Sequence, residues 1–264
     1  MSFHPKSLVG RQFADYKLLE LIGAGPNGAV FCAPHKFPGK QLAVKIMPRV
    51  SFDRLSAYRD SPDHPAVVPF FDLGVFDDHG YVAMKLIEGG SLADHLVEGR
   101  RVQASRAIDL MARVLDILRE LHQRGAVHGN LKPANILVSP SGRLWLSDFG
   151  MARELSPEGS DQRAGYLSPE HCHGRMDPDA RADLFSVGLI LYQCLSGLSP
   201  TSGMAPTQTA YNRVNQRIQP IDEVLPDVSP ALATLIHELL APDREARPKS
   251  AAAVCERLAA LAET

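Results

Sequence analysis

The stretch HGNLKPANILVSPSGRLWLSDFG, residues 128–150, decides the fold. Asn135–Val138 and Leu144–Leu146 are short apolar runs, and Ser139-Pro140-Ser141-Gly142 between them is a turn signal, so the pair reads as a hairpin. The polar loop from His128 to Ala134 leads into it, and Asp148-Phe149-Gly150 ends it. Upstream, Ile108, Met111, Leu115, Leu118 and His122 fall on one helical stripe that Gly125 can terminate. Downstream, Leu184, Val187, Leu191 and Cys194 stripe a helix that is apolar almost all round and therefore central. Leu232, Leu235, Ile236 and Leu239 mark a third helix. Toward the N-terminus the pattern changes to strands: Tyr16–Ile22, Ala29–Ala33, Leu42–Met47, Val67–Phe71 and Tyr81–Ile87. Gly89-Gly90-Ser91 breaks that run. The expected architecture is α+β and bilobal, a β-rich small lobe joined near Glu88–Gly90 to a helical large lobe, with ligand binding expected in the cleft.

Composition fits such a domain. The 264 residues are 45% apolar and 22% charged, enough for a real core and against long disorder. Lys and Arg number 28 against 30 acids, a net charge of −2, which gives no electrostatic footprint for nucleic acid or an anionic membrane. No apolar run is long enough to span a bilayer, and residues 1–10 lack the apolar centre of a signal peptide. The expected location is therefore cytoplasmic. Cys32, Cys172, Cys194 and Cys255 stand far apart and read as reduced, mostly buried thiols. His171-Cys172-His173 is a poor metal candidate, because adjacent loop residues rarely converge on one ion.

Gly23, Gly25 and Gly28 form G-x-G-x-x-G directly after a strand, with Val30 two residues on. Such glycines let backbone N–H groups approach phosphates without side-chain obstruction. Dinucleotide-binding folds share the spacing, but there the loop opens a helix; here Pro26 and Asn27 suit a hairpin tip and a strand follows. A plain Gly-rich hairpin would read the same. Lys45 sits inside a strand run, where a charge is costly unless it meets an anion or faces water at an edge.

In order, GAGPNGAV, LAVKIM, HGNLKPAN, DFG and SPE resemble the protein kinase signature set, over about residues 16–261. Asp183 in DARADLFSVG resembles the family's central-helix aspartate, and Arg247 resembles the arginine that pairs with the Glu of the A-P-E element, here Glu170. Lys132 in LKPAN resembles the serine/threonine branch, in a compact bacterial style. The resemblance implies a small lobe at 16–87, a large lobe at 91–261 and a lead-in at 1–15. It implies ATP and Mg²⁺ as cofactors. Ile22, Gly23, Gly25, Gly28, Val30 and Ala43 would enclose the nucleotide, and Lys45 would hold its phosphates. Met84 would be the gatekeeper, the backbone of Lys85 and Ile87 would meet adenine, and Asn135 and Asp148 would hold the metal.

Four departures oppose ordinary catalysis. Asn130 stands where the family has the Asp that orients and deprotonates the attacking hydroxyl, a loss worth about 10²–10⁴ in rate. Gly129 replaces the Arg that meets an activation-loop phosphate, and Met151–Leu167 offers only Ser156 and Ser160. Arg163 occupies the place of the Thr that touches the catalytic Asp and Lys; it could pack toward Asn130 or be a solvated cation. No Glu lies between Ile46 and Ile87 to pair with Lys45; Asp53 or Asp60 could substitute, or the helix could be a stub. The expectation is an ATP-binding pseudokinase acting on an unidentified protein partner. An active, slow serine/threonine kinase is the alternative, with Lys132 as a surviving catalytic residue.

Overall fold

The structure is a computed structural model describing residues 4–25, 28–35, 37–48, 61–149, 165–172, 179–199 and 218–262. Pro26, Asn27, Asp53, Asp60, Gly150, Ser156, Ser160, Arg163 and His173 lie outside the described residues. The chain divides into two compact units, residues 1–89 with 138–145, and residues 90–137 with 146–264. The first is β-rich and the second helical, an α+β fold as expected.

The first unit opens with a 3₁₀ turn, Pro5–Leu8, and a short ribbon of β1 (Gln12–Phe13) and β2 (Tyr16–Lys17). Five antiparallel strands follow: β3 (Glu20–Gly25), β4 (Gly28–Pro34), β5 (Gln41–Pro48), β6 (Phe70–Phe76) and β7 (His79–Lys85), in the order β3-β4-β5-β7-β6. Strand alternation sends Leu42, Val44 and Ile46 to one face, where they join Ala29, Phe31, Ala33 and Ala83 in a core that Phe13 and Leu18 cap. Phe13, from the segment expected as lead-in, is buried there with its ring edge-on to Phe76 and Tyr81. The Tyr16 and Tyr81 hydroxyls both donate to Asp72, at 2.9 and 3.1 Å.

Strand boundaries depart from expectation where local chemistry intervenes. The run at 16–22 is split, because Leu18 pairs through its backbone with Gly10 and Arg11 before β3 begins. In the run at 67–71, Pro69 lacks an N–H for a ladder, so Val67, an isolated bridge, and Val68 are buried outside any strand and β6 starts at Phe70. The strand expected at 81–87 starts at His79, because Asp77 and Asp78 both take positive φ, 45° and 61°, as a tight hairpin turn requires.

In the second unit, α1 (Ala104–Gln123) buries Ala107, Ile108, Met111, Val114, Leu115, Leu118 and Leu121 on one face and stops before Gly125. The 3₁₀ turn Pro133–Asn135 leads into the hairpin β8 (Ile136–Val138) and β9 (Leu144–Leu146), of which residues 138–145 belong to the first unit. Then come α2 (Pro169–Cys172), α3 (Ala180–Ser196), α4 (Ile221–Val224), α5 (Pro230–Leu239) and α6 (Ala251–Ala262). All but three of the 17 residues of α3 are buried, which makes it the central helix the sequence suggests. Asp179 caps its start by accepting from the Arg181 N–H. Helix α1 packs against α3 and α6, and α5 against α3. All four cysteines are free thiols, and burial pushes the Cys194 thiol up to about 12.

Candidate nucleotide and metal site

The candidate residues fall in both units. In the first, β4 pairs Val30 with Lys45, and β5 pairs Ala43 with Met84. Lys45 and Ala43 alternate with Leu42, Val44 and Ile46, so Val30, Ala43, Lys45 and Met84 share the sheet face opposite the core cluster. All four are wholly or partly buried, Lys45 among them at 8% exposure.

The register of β3 against β4 shifts between Leu21 and Gly23, leaving Ile22 out of the pairing and half exposed. Gly28 is required by the protein's own packing: it has φ 121°, and a Cβ there would lie 2.0 Å from the Ile46 carbonyl oxygen. Gly23 and Gly25 differ. Both have ordinary φ, and a Cβ at either would meet nothing within 4 Å. Nothing in the described chain demands glycine there, whereas a phosphate approaching the backbone would. At the end of β7 the Lys85 N–H donates to the Pro69 carbonyl at 3.0 Å, so what Lys85 could offer a ligand is its carbonyl. Its ammonium lies 4.1 Å over the Trp145 ring. Ile87 follows β7, partly buried and outside any strand.

In the second unit, hydrogen bonds draw Asn130, Asn135 and Asp148 together. The Asn135 side-chain amide donates to the Asn130 carbonyl at 2.8 Å, which leaves the Asn135 amide oxygen as an acceptor. The Ser147 N–H donates to the Asn135 carbonyl at 3.0 Å across the base of the hairpin, setting Asp148 beside it. Asn130 is buried, and its amide donates to the Asp148 carbonyl at 3.4 Å. Asp148 has φ 59°, an uncommon backbone for a non-glycine residue and one that concentrates at functional sites. Lys132 is partly buried at the start of the 3₁₀ turn.

The loop is anchored from beneath. Asp183 accepts from the His128 N–H and the Gly129 N–H, both at 2.8 Å, and contacts His122 Nε2 at 2.8 Å. Burial would push the Asp183 carboxyl up, but His122, His128 and the Gly129 N–H outweigh it and hold it below the usual range. Burial pushes His128 down; its Nδ1 accepts from the Asn130 N–H at 3.2 Å, and the ring lies tilted against Phe149 with centroids 4.5 Å apart. Gly129 has φ 70°, a backbone that an arginine would adopt only under strain. Arg247 holds Glu170 in a fork, at 2.7 and 2.8 Å, as the sequence suggests. The three anchors His122, Ser147 and Phe149 play no part in the sequence reading as site residues, since their signal is contact alone. His171 is committed to Ser168, at 2.8 Å from its Oγ, and among the described residues no cluster of three His, Cys, Asp or Glu could hold an ion.

An amide oxygen and one carboxylate are hard donors that suit Mg²⁺, which commonly takes one or two carboxylates and completes its shell with water and substrate phosphates. Asn135 and Asp148 fit a metal that arrives with a nucleotide. No described helix is long and apolar enough to cross a membrane.

Residues 16–258 match the protein kinase domain family. The chain is 32% identical over 281 residues to a serine/threonine-protein kinase of Myxococcus xanthus, covering 97% of this chain and 33% of that protein. It is 30% identical over 258 residues to the serine/threonine-protein kinase PknB of Mycolicibacterium smegmatis, covering 90% and 41%. It thus spans well under half the length of these curated relatives. The PknI kinase domain of Mycobacterium tuberculosis superposes with a TM-score of 0.74 at 24% identity, over 97% of this chain and 98% of that one, a likeness of fold.

Proposed function

Because the chain belongs to the protein kinase domain family, we propose that it binds ATP with Mg²⁺ and acts on a protein partner by binding or regulation, with phosphotransfer impaired. In this reading Ile22, Gly23, Gly25, Gly28, Val30 and Ala43 enclose the nucleotide, Lys45 holds its phosphates, Met84 is the gatekeeper, and Lys85 and Ile87 meet adenine through their backbone. Asn135 and Asp148 hold the metal, which when bound would neutralise charge on the phosphate oxygens. The lobes divide as 16–87 and 91–261, in the cytoplasm.

The observation that carries the reading is Asn130. It is buried at the position of the family's base, it donates to Asp148, and the loop 128–135 holds no carboxylate. An amide cannot take a proton from an incoming hydroxyl at neutral pH. A second reading, a slow serine/threonine kinase, rests on the survival of Lys45, Lys132, Asn135 and Asp148. Positioning by these groups would leave a residual rate, because phosphoryl transfer needs little covalent chemistry from the protein.

A thermal-shift titration with ATP, with and without Mg²⁺, tests the binding half. At 100 times the Kd, ATP should stabilise by about 2.7 kcal/mol, roughly 5–10 °C for a chain of this size. The shift should shrink in Asp148→Ala. No shift at millimolar ATP would remove the proposal.

A further inference from the structure

A pocket of about 490 Å³ in the second unit is lined by His95, Arg100, Arg101, Val102, Gln103 and Arg106. None of these belongs to the nucleotide reading. Three arginines and a histidine line one concavity whose lining holds no acid, although the chain as a whole is slightly acidic. Such a concentration of one sign repels itself unless an anion completes it.

The cationic segment is held in place. The Gly99 N–H donates to the Gly197 carbonyl at 2.8 Å and the Val102 N–H to the Cys194 carbonyl at 2.7 Å, fastening it to the end of α3. The Arg100 N–H donates to the Val97 carbonyl at 3.0 Å. A Cβ added at Gly197 would lie 3.0 Å from the Gly99 and Arg100 backbones, so the two segments are in close contact. Arg106 stands in the first turn of α1, which has no acid and whose N-cap, Gln103, makes no side-chain cap. That end of the helix adds partial positive charge to the same pocket.

We propose that this pocket binds the phosphate monoester of a phosphorylated protein segment. A phosphate monoester offers three acceptor oxygens and nearly two charges, enough for forked bonds from several arginines at once. A carboxylate, with one charge and two oxygens, satisfies fewer. The volume far exceeds one phosphate group, leaving room for the residue that carries it. Val97 and Leu198, 58% and 44% exposed, lie close in sequence to the Gly99–Gly197 link. A recessed pocket suits a chain segment better than the flat surface of a bilayer.

The test is fluorescence anisotropy with a labelled hexapeptide carrying one phosphothreonine followed by leucine, without nucleotide, so that the outcome is independent of ATP binding. The phosphopeptide should bind at least about 10-fold more tightly than its unphosphorylated twin and than inorganic phosphate. Arg101→Gln and Arg106→Gln should each weaken it by about 10-fold, and Arg→Lys at either position by less, since charge remains but the fork is lost. The side chains are exposed, so melting temperatures should not move; any variant that melts early is replaced by its lysine counterpart. Equal affinity for the unphosphorylated peptide, equal affinity for inorganic phosphate, or indifference to an Arg100→Gln/Arg101→Gln/Arg106→Gln variant would overturn the proposal. So would binding to phosphatidylglycerol vesicles with none to the phosphopeptide.

Discussion

Asn130 donates where an aspartate could only accept. Its amide faces the Asp148 carbonyl oxygen at 3.4 Å, in a position 4% exposed. Asn130→Asp would set a carboxylate against that carbonyl, and burial plus the lost donor would raise the new group's pKa. An acid whose folded pKa is raised costs nothing below its unfolded pKa of about 3.9, and its penalty grows as pH rises. Asn130→Asp should thus match the wild type near pH 4 and be about 1–3 kcal/mol less stable at pH 7, read by denaturant melts. Equal stability at both pH values would show that the amide's bond is unimportant. Gly25 makes a different prediction. With open space at its Cβ position and ordinary φ, Gly25→Ala should leave the ligand-free stability within about 1 kcal/mol of wild type while diminishing the shift that ATP produces. An undiminished shift would mean that phosphates do not approach the backbone there.

Among elements, α3 organises the helical unit, and its contacts set two further expectations. Gly188 lets α5 approach so closely that a Cβ would lie 2.8 Å from Leu239 Cβ and 3.1 Å from Leu240 Cδ2. Gly188→Ala gains up to about 1 kcal/mol of helix propensity but overpacks by about 1–3 kcal/mol, so the protein should lose stability. A rise in melting temperature would contradict that packing. The Arg247–Glu170 fork ties Arg247, which follows the 3₁₀ turn Arg244–Ala246, to α2, and it is buried. Burial alone would push Glu170 up, but Arg247 outweighs it and holds the carboxyl below its usual range. Glu170 and Asp183 therefore contribute stability fully above about pH 4.5, and that stability is lost as pH falls through their lowered folded values. Arg247→Ala leaves the carboxylate buried and unpaired and should cost about 3–5 kcal/mol at pH 7 by chemical denaturation. A cost under about 1 kcal/mol would show that the pair is not isolated from water.

For the whole molecule, legibility in the sequence followed chemistry that repeats. Helical stripes gave α1, α3 and α5, and short apolar runs gave β4 and β5, because burial imposes those patterns on the residues themselves. Boundaries at Val67 and His79 were hidden, since they depend on a missing proline N–H and on a turn whose residues are Asp-Asp rather than Asn-Gly. Phe13 was hidden too: nothing local distinguishes a lead-in phenylalanine from one that closes a core. At the candidate site, residue types were legible from the order of the motifs, and Val30, Ala43, Lys45 and Met84 lie on one sheet face. What the sequence could not contain was direction. That Asn130 donates to Asp148, and that Gly23 and Gly25 face open space, are facts of three dimensions.

The proposal that nucleotide binds while phosphotransfer is impaired by Asn130 is open to a direct measurement. Transfer of labelled γ-phosphate from ATP to a generic protein substrate, compared among wild type, Asp148→Ala and Asn130→Asp, tests it most directly. Wild-type turnover should lie at least about 100-fold below the roughly 1–100 s⁻¹ of ordinary kinases. Turnover within that range, abolished in Asp148→Ala, would contradict it.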